Sequence, residues 1–162
     1  MSPQDVVLLV EDNEEDVILL RRAFLRARVL NPLLVVRDGE EAIYYLEGSG
    51  RYANRMEFPS PSVVLLDLNL PGIGGFDVLR WVRNQPGLRK LRVVVLTASD
   101  RISDVNQAYR LGASSFLVKP ADLDSLIQIM AAFRGHWLWL KTPPEASGDG
   151  RLRKDDDLKV RP

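Results

Sequence analysis

Five short runs rich in Val and Leu constrain the fold more than any other feature of this chain. They occupy residues 6–10, 33–36, 63–66, 93–96 and 115–118, and none alternates with polar residues. A strand with one wet face alternates, whereas a strand covered on both faces reads as a continuous apolar run. Between the runs lie segments with helical spacing. Val17, Leu20 and Phe24 fit one face of a first helix, and Ala42, Tyr45 and Leu46 fit a second. Phe76 and Leu79 fit a third, and Ile102, Val105 and Tyr109 a fourth. Strand and helix thus alternate five times. That pattern predicts an α/β domain, a doubly wound parallel sheet with helices on both faces.

Two stretches depart from the pattern. Residues 48–61 carry Gly48, Gly50, Pro59 and Pro61 and read as a long surface loop. Near the C-terminus, Leu123, Leu126, Met130, Phe133, Trp137 and Leu140 form a stripe at intervals of 3 and 4. One helix over 122–141, capped by Asp122 and ended by Pro143-Pro144, would run about 30 Å. Residues 142–162 are polar and charged, with Asp155-Asp156-Asp157, and read as a tail. The expected division is a domain over 4–135 and an extension over 136–162. The extension splits into an apolar arm, 136–141, and the polar tail.

Composition narrows the chemistry. There are 22 Lys+Arg against 22 Asp+Glu, which gives no basic field for coating nucleic acid. With no cysteine and one histidine, disulfides, thiolate nucleophiles and Cys-based metal sites are excluded. The N-terminal residues have no basic segment, and the apolar run that follows is too short for a signal peptide or a membrane span. The expectation is a cytoplasmic protein that binds neither nucleic acid nor membrane. Bases at Arg80, Arg83, Arg89, Lys90 and Arg92 read as a solvated face, and His136 as a solvated or interface residue.

In an open parallel sheet, ligands bind outside the carboxyl ends of the strands. Glu11 and Asp12 follow the first run, Asp67 the third, Thr97 and Ala98 the fourth, and Lys119 the fifth. Two unit charges ~4 Å apart repel by roughly 4 kcal/mol at an effective dielectric near 20. Three clustered acids therefore call for a cation, a proton or the lysine. Hard oxygen donors suit Mg²⁺. Carboxylate-bound Mg²⁺ is a phosphoryl-transfer arrangement, and an Asp can be the acceptor. Thr97 could then hydrogen-bond a phosphoryl oxygen, and Lys119 could neutralise another.

Five blocks carry a resemblance: Val10-Glu11-Asp12, the run Leu65 to Pro71 around Asp67, Leu96-Thr97-Ala98, Leu111-Gly112-Ala113, and Phe116 to Pro120. In that order they resemble the receiver domain of two-component response regulators. The resemblance implies a flavodoxin-like sheet with strand order 2-1-3-4-5 and an extended fifth helix. It implies Asp67 as phosphoacceptor and Mg²⁺ (or Mn²⁺) held by Asp12, Asp67 and the Asn69 backbone carbonyl, with Glu11 acting mostly through water. Thr97, Lys119 and the Ala98 backbone would bind the phosphoryl group. Thr97 and Phe116 would report it, and the Lys119–Pro120 bond would be cis. Such a domain transfers a phosphoryl group to itself and is not a dedicated enzyme.

The long loop and the His136-Trp137-Leu138-Trp139-Leu140 segment further resemble single-domain regulators paired with phytochrome histidine kinases. That implies a phytochrome-type sensor kinase as partner. It also implies a homodimer through the fourth helix, fifth strand, fifth helix and the arm Trp137, Leu138, Trp139 and Leu140. Two rivals remain. An aspartyl-phosphate phosphohydrolase would usually carry a second Asp where this chain has Asn69. A dimerisation module with a decayed site would not keep Glu11, Asp12, Asp67, Thr97 and Lys119 together.

Overall fold

The computed structural model describes residues 4–139, with side chains described as far as residue 136. The elements are β1 (Val7–Val10), α1 (Glu14–Arg26), β2 (Leu33–Val36), α2 (Gly39–Glu47), β3 (Val63–Leu66), α3 (Gly75–Asn84), β4 (Arg92–Thr97), α4 (Ile102–Arg110), β5 (Ser115–Val118) and α5 (Leu123–Trp139). Short 3-10 turns lie at Gly50–Tyr52 and Pro86–Leu88. The strands form one parallel sheet in the order β2-β1-β3-β4-β5. This is the flavodoxin-like order expected above. The chain runs outward from β1 to β2, then returns past β1 to β3. That reversal opens a crevice at the carboxyl ends of β1 and β3.

Side chains alternate along each strand, so each apolar run feeds two cores. Val7, Leu9, Val63, Leu65, Val94 and Leu96 pack with Val17, Leu20 and Phe24 of α1 and with Leu126, Met130 and Phe133 of α5. Leu8, Val10, Val64, Leu66 and Val93 pack with Ala42, Tyr45 and Leu46 of α2 and with Val78, Leu79 and Val82 of α3. The central strands β1 and β3 are buried throughout, while the edge strand β5 is only half covered.

Polar residues set the helix ends. Asn13 accepts from the Asp16 N–H at 3.1 Å and opens α1. Asp38 accepts from the Glu41 N–H at 2.7 Å, and the Glu41 carboxylate in turn accepts from the Arg37 N–H at 2.9 Å. Gly48 ends α2 at φ 69°, a conformation that a Cβ disfavours. Asp122 accepts from the Ser125 N–H at 2.8 Å, so the expected cap opens α5. The helix is described to Trp139. The side chains of Trp137, Leu138 and Trp139, together with Leu140 and the tail, lie outside the described residues.

Three readings of the sequence need correction. Helix α4 forms, but Ile102 and Tyr109 are 77% and 50% exposed, and Ala108 is its buried residue. The small Ala108 lets the helix close on Leu68, Val95 and Phe116, which turns the larger side chains outward. The loop over 48–61 is not merely superficial. Tyr52 is buried, with its ring tilted against Tyr45 at 4.9 Å and edge-to-face with Phe58 at 5.0 Å. Arg55 pins it by donating to the carbonyls of Tyr45, Leu46 and Phe58 at 2.7, 2.9 and 3.2 Å.

The third correction is Arg83, which is not part of a solvated face. Its guanidinium donates to the Gly112 carbonyl at 2.8 and 2.9 Å, to Leu91 at 2.6 Å and to Arg89 at 3.0 Å. It ties α3 to the entries of β4 and β5. Replacing it strands several carbonyls, and an ammonium could not reproduce the planar fork. Arg83→Met is expected to cost about 2 kcal/mol in urea unfolding. Arg80→Met, which loses only the exposed pair with Asp77, should stay within about 0.5 kcal/mol.

Candidate phosphoacceptor site

Strand register assembles the site. Val10 of β1 lies level with Leu66 of β3, so the residues that follow, Glu11 and Asp67, emerge side by side. The Asp67 N–H donates to the Val10 carbonyl at 3.1 Å. On the other side, Thr97 lies level with Val118, and the Lys119 N–H donates to the Thr97 carbonyl at 2.7 Å. Helix α3 closes against this edge. A Cβ on Gly75 would collide with the Asp67 carbonyl and come within 2.7 Å of the Leu68 Cα, so only glycine permits this approach.

Glu11, Asp12 and Asp67 bring carboxylate oxygens within 4.8 Å of one another. Glu11 and Asp67 are buried, and Asp12 is exposed at the mouth. The Lys119 ammonium lies among them, 2.5 Å from Glu11 Oε2 and 2.8 Å from Asp67 Oδ2. It also reaches Asp16 Oδ2 at 3.0 Å. The Asn69 N–H donates to Asp67 Oδ1 at 3.1 Å.

These contacts divide the charge. Burial raises the Glu11 pKa to about 7, and the neighbouring Asp67 charge adds to the effect against the pull of Lys119. Burial also opposes ionisation of Asp67. There, the Lys119 ammonium and the Asn69 N–H outweigh burial and hold the carboxyl below its ordinary value. Burial works against the Lys119 charge too, but its bonds to Asp67, Glu11 and Asp16 raise its pKa above that of an ordinary lysine. Two close carboxylates thus split, one ready to hold a proton and one kept ionised. The ionised one, Asp67, is the nucleophile such a site can offer.

The donor set is entirely hard oxygen, with one exposed carboxylate at the mouth, and it fits a small divalent cation such as Mg²⁺ or Mn²⁺. Thr97 is buried at the end of β4, with Ala98 exposed beside it. Phe116 is half-buried and packs on the cluster of Leu68, Val95 and Ala108. The expected residues Glu11, Asp12, Asp67, Thr97, Ala98 and Lys119 all share this edge.

Two points differ from expectation. The Lys119–Pro120 peptide is trans, since no cis bond occurs among the described residues. Trans is favoured by roughly 0.5–1 kcal/mol before proline. With it, the Lys119 N–H already meets Thr97 and the ammonium already meets its acids, so no contact calls for the cis form. The second point is Asp16, whose place on Lys119 the strand-end reasoning missed. Its spacing held a clue: Asp16 lies four residues after Asp12, inside a run from 11 to 16 with five acids and no base.

Comparison with known proteins agrees with this geometry. Residues 7–131 match the model of the response regulator receiver domain. Response regulator Rcp1 of Synechocystis is 35% identical over 145 residues, covering 90% of this chain and 97% of that protein. The crystal structure of the phosphorylated cyanobacterial phytochrome response regulator RcpA superposes with a TM-score of 0.78 at 37% identity, covering 87% of this chain and 99% of that one. The Mn²⁺-bound form of Rcp1 gives a TM-score of 0.76 at 35% identity, covering 86% and 99%. The chain belongs to the response regulator receiver domain family.

Proposed function

We propose that Asp67 accepts a phosphoryl group from the phosphohistidine of a sensor kinase and passes the signal on through protein contacts. The observation that carries this reading is the buried Asp67 carboxyl, 2.8 Å from the Lys119 ammonium within an acid cluster that fits a divalent cation. An Asp67 Oδ attacks phosphorus, a new O–P bond forms, and the P–N bond breaks with its electron pair returning to the imidazole. Mg²⁺ or Mn²⁺, held by Asp12, Asp67 and the Asn69 carbonyl with Glu11 behind them, supplies neutralisation of phosphoryl charge when bound. The product carries about −2 at neutral pH. Lys119 pairs with that charge, and the Thr97 hydroxyl and Ala98 N–H turn toward it. Phe116, packed between β4 and α4, follows and alters the outer face of α4, β5 and α5.

The same face is the proposed homodimer surface, extended by the arm Trp137, Leu138, Trp139 and Leu140. Ile102, Tyr109 and Val118 are 77%, 50% and 42% exposed there, which is costly to leave in water as a patch. The kinase is proposed to be a phytochrome, by analogy with the named role of RcpA. A cytoplasmic location is consistent with the fact that, among the described residues, no helix is long and apolar enough to cross a membrane. The protein acts on itself and binds no nucleic acid.

With Mg²⁺ and acetyl phosphate, intact-mass analysis is expected to show one added phosphoryl group in wild type and none in Asp67→Asn. Absence of any Mg²⁺-dependent gain in wild type would refute the reading, and rapid turnover of many phosphomonoesters would favour a phosphohydrolase. Adding Mg²⁺ should raise the melting temperature of wild type; at a hundredfold excess over Kd the stabilisation is about 2.7 kcal/mol. Asp12→Asn should abolish most of that rise. In light-scattering chromatography, wild type is expected to run as a dimer. Ile102→Glu combined with Tyr109→Glu should shift it toward monomer, and an unchanged dimer would exclude the α4 face.

A further inference from the structure

The Lys119 ammonium has three N–H donors. They go to Glu11 Oε2 at 2.5 Å, Asp67 Oδ2 at 2.8 Å and Asp16 Oδ2 at 3.0 Å. Glu11 and Asp67 belong to the acid cluster, whereas Asp16 does not. Its side chain is 38% exposed, against 2% and 7% for the other two. Asp16 sits in the first turn of α1, where the Asn13 side chain holds its backbone N–H and buried Val17 fixes the turn against the sheet. The carboxylate is thus presented to Lys119 by a rigid element.

We infer that Asp16 is a positioning residue for phosphoryl transfer, holding the Lys119 ammonium in register with Asp67; this rests on Asp67 being the phosphoacceptor. Phosphorylation converts the Asp67 carboxylate to an acyl phosphate, a mixed anhydride, and moves its charge outward onto the phosphoryl oxygens. The Lys119–Asp67 bond is therefore the one exchanged for a phosphoryl contact. The bonds to Glu11 and Asp16 remain as two anchors about which the ammonium turns. With Asp16 absent, Glu11 alone steers a long, flexible side chain, and the cation is less well placed when charge develops. General electrostatics predicts the opposite sign: deleting an acid from an acidic edge speeds attack on an anionic donor.

The test measures Mg²⁺-dependent phosphorylation of Asp67 by acetyl phosphate, using intact mass. An Asp67 Oδ–P bond forms, the bridging P–O bond breaks, and acetate leaves with the electron pair. Asp16→Ala is expected to react roughly two- to fivefold more slowly than wild type, the range of a partly exposed ion pair. Glu15→Gln removes the same charge from the same helix turn, at an exposed residue, and should react as fast as wild type or faster. Asp16→Asn, which keeps an acceptor oxygen, should recover part of the loss. In a Lys119→Met background, Asp16→Ala should have no further effect. A metal-free readout is the hydrogen exchange of the Lys119 ammonium by nitrogen-15 NMR, expected to quicken in Asp16→Ala.

An Asp16→Ala rate equal to or above that of Glu15→Gln overturns the inference and leaves the phosphoacceptor reading standing. So does a loss that persists without Lys119, or an unchanged ammonium exchange. No phosphorylation of wild type overturns both.

Discussion

One ammonium makes the carboxyl edge of this sheet possible. Glu11 and Asp67 are buried side by side at the ends of two adjacent strands, where two uncompensated negative charges would not be tolerated. Lys119 reaches across from β5, two strands beyond β3, and bonds to both. Its backbone N–H is meanwhile tied to Thr97. The strand order, the register and the side chain's length all serve that reach. A slip of one residue in β3 would turn Asp67 to the opposite face. The same lysine connects the acids to Thr97 and to the half-covered edge strand, so a change of charge at Asp67 is felt first by the least buried part of the sheet.

The rest of the molecule holds that edge still. Two separate cores press on the sheet, and β1 and β3, which carry the acids, are buried along their whole length. Helix α3 begins directly against the Asp67 backbone, where Gly75 leaves no room for a side chain. The side toward α4 is built more lightly. Its core is the small cluster of Leu68, Val95 and Ala108, with Phe116 packed beside it. Rigidity around the acceptor and lighter packing on the flank suit a site that must place charge accurately and then pass a displacement outward.

Much of this was legible in the sequence because buried parallel strands leave a plain trace. The runs over 33–36, 63–66 and 115–118 coincide with β2, β3 and β5, and the chemistry-bearing residues follow the strands directly. Helix faces were less legible. In α4 the larger apolar residues suggested the inward stripe, but close packing selected Ala108, and size alone does not reveal which side is covered. The loop at 48–61 reads as polar punctuation, and the packing of its buried Tyr52 and partly buried Phe58 emerges only once Tyr45 is placed on α2. Arg83 and Asp16 are ordinary surface residues by type. What distinguishes them is a partner 29 residues away for one and 103 for the other. The cis bond before Pro120 is implied by the family resemblance alone, and the peptide is trans.

The two ends of the sheet handle a buried cation in contrasting ways. At the carboxyl end, Lys119 is surrounded by acids that can exchange protons or accept a phosphoryl group. At the amino end of β4 and β5, Arg83 is surrounded by main-chain carbonyls, which neither titrate near neutral pH nor accept a phosphoryl group. The guanidinium therefore keeps the same partners whatever happens at Asp67. The entries of β4 and β5 are clamped at one end while their exits lie next to a group whose charge changes. Each strand is in effect a lever with a fixed fulcrum, and motion started at the acids grows with distance from Arg83.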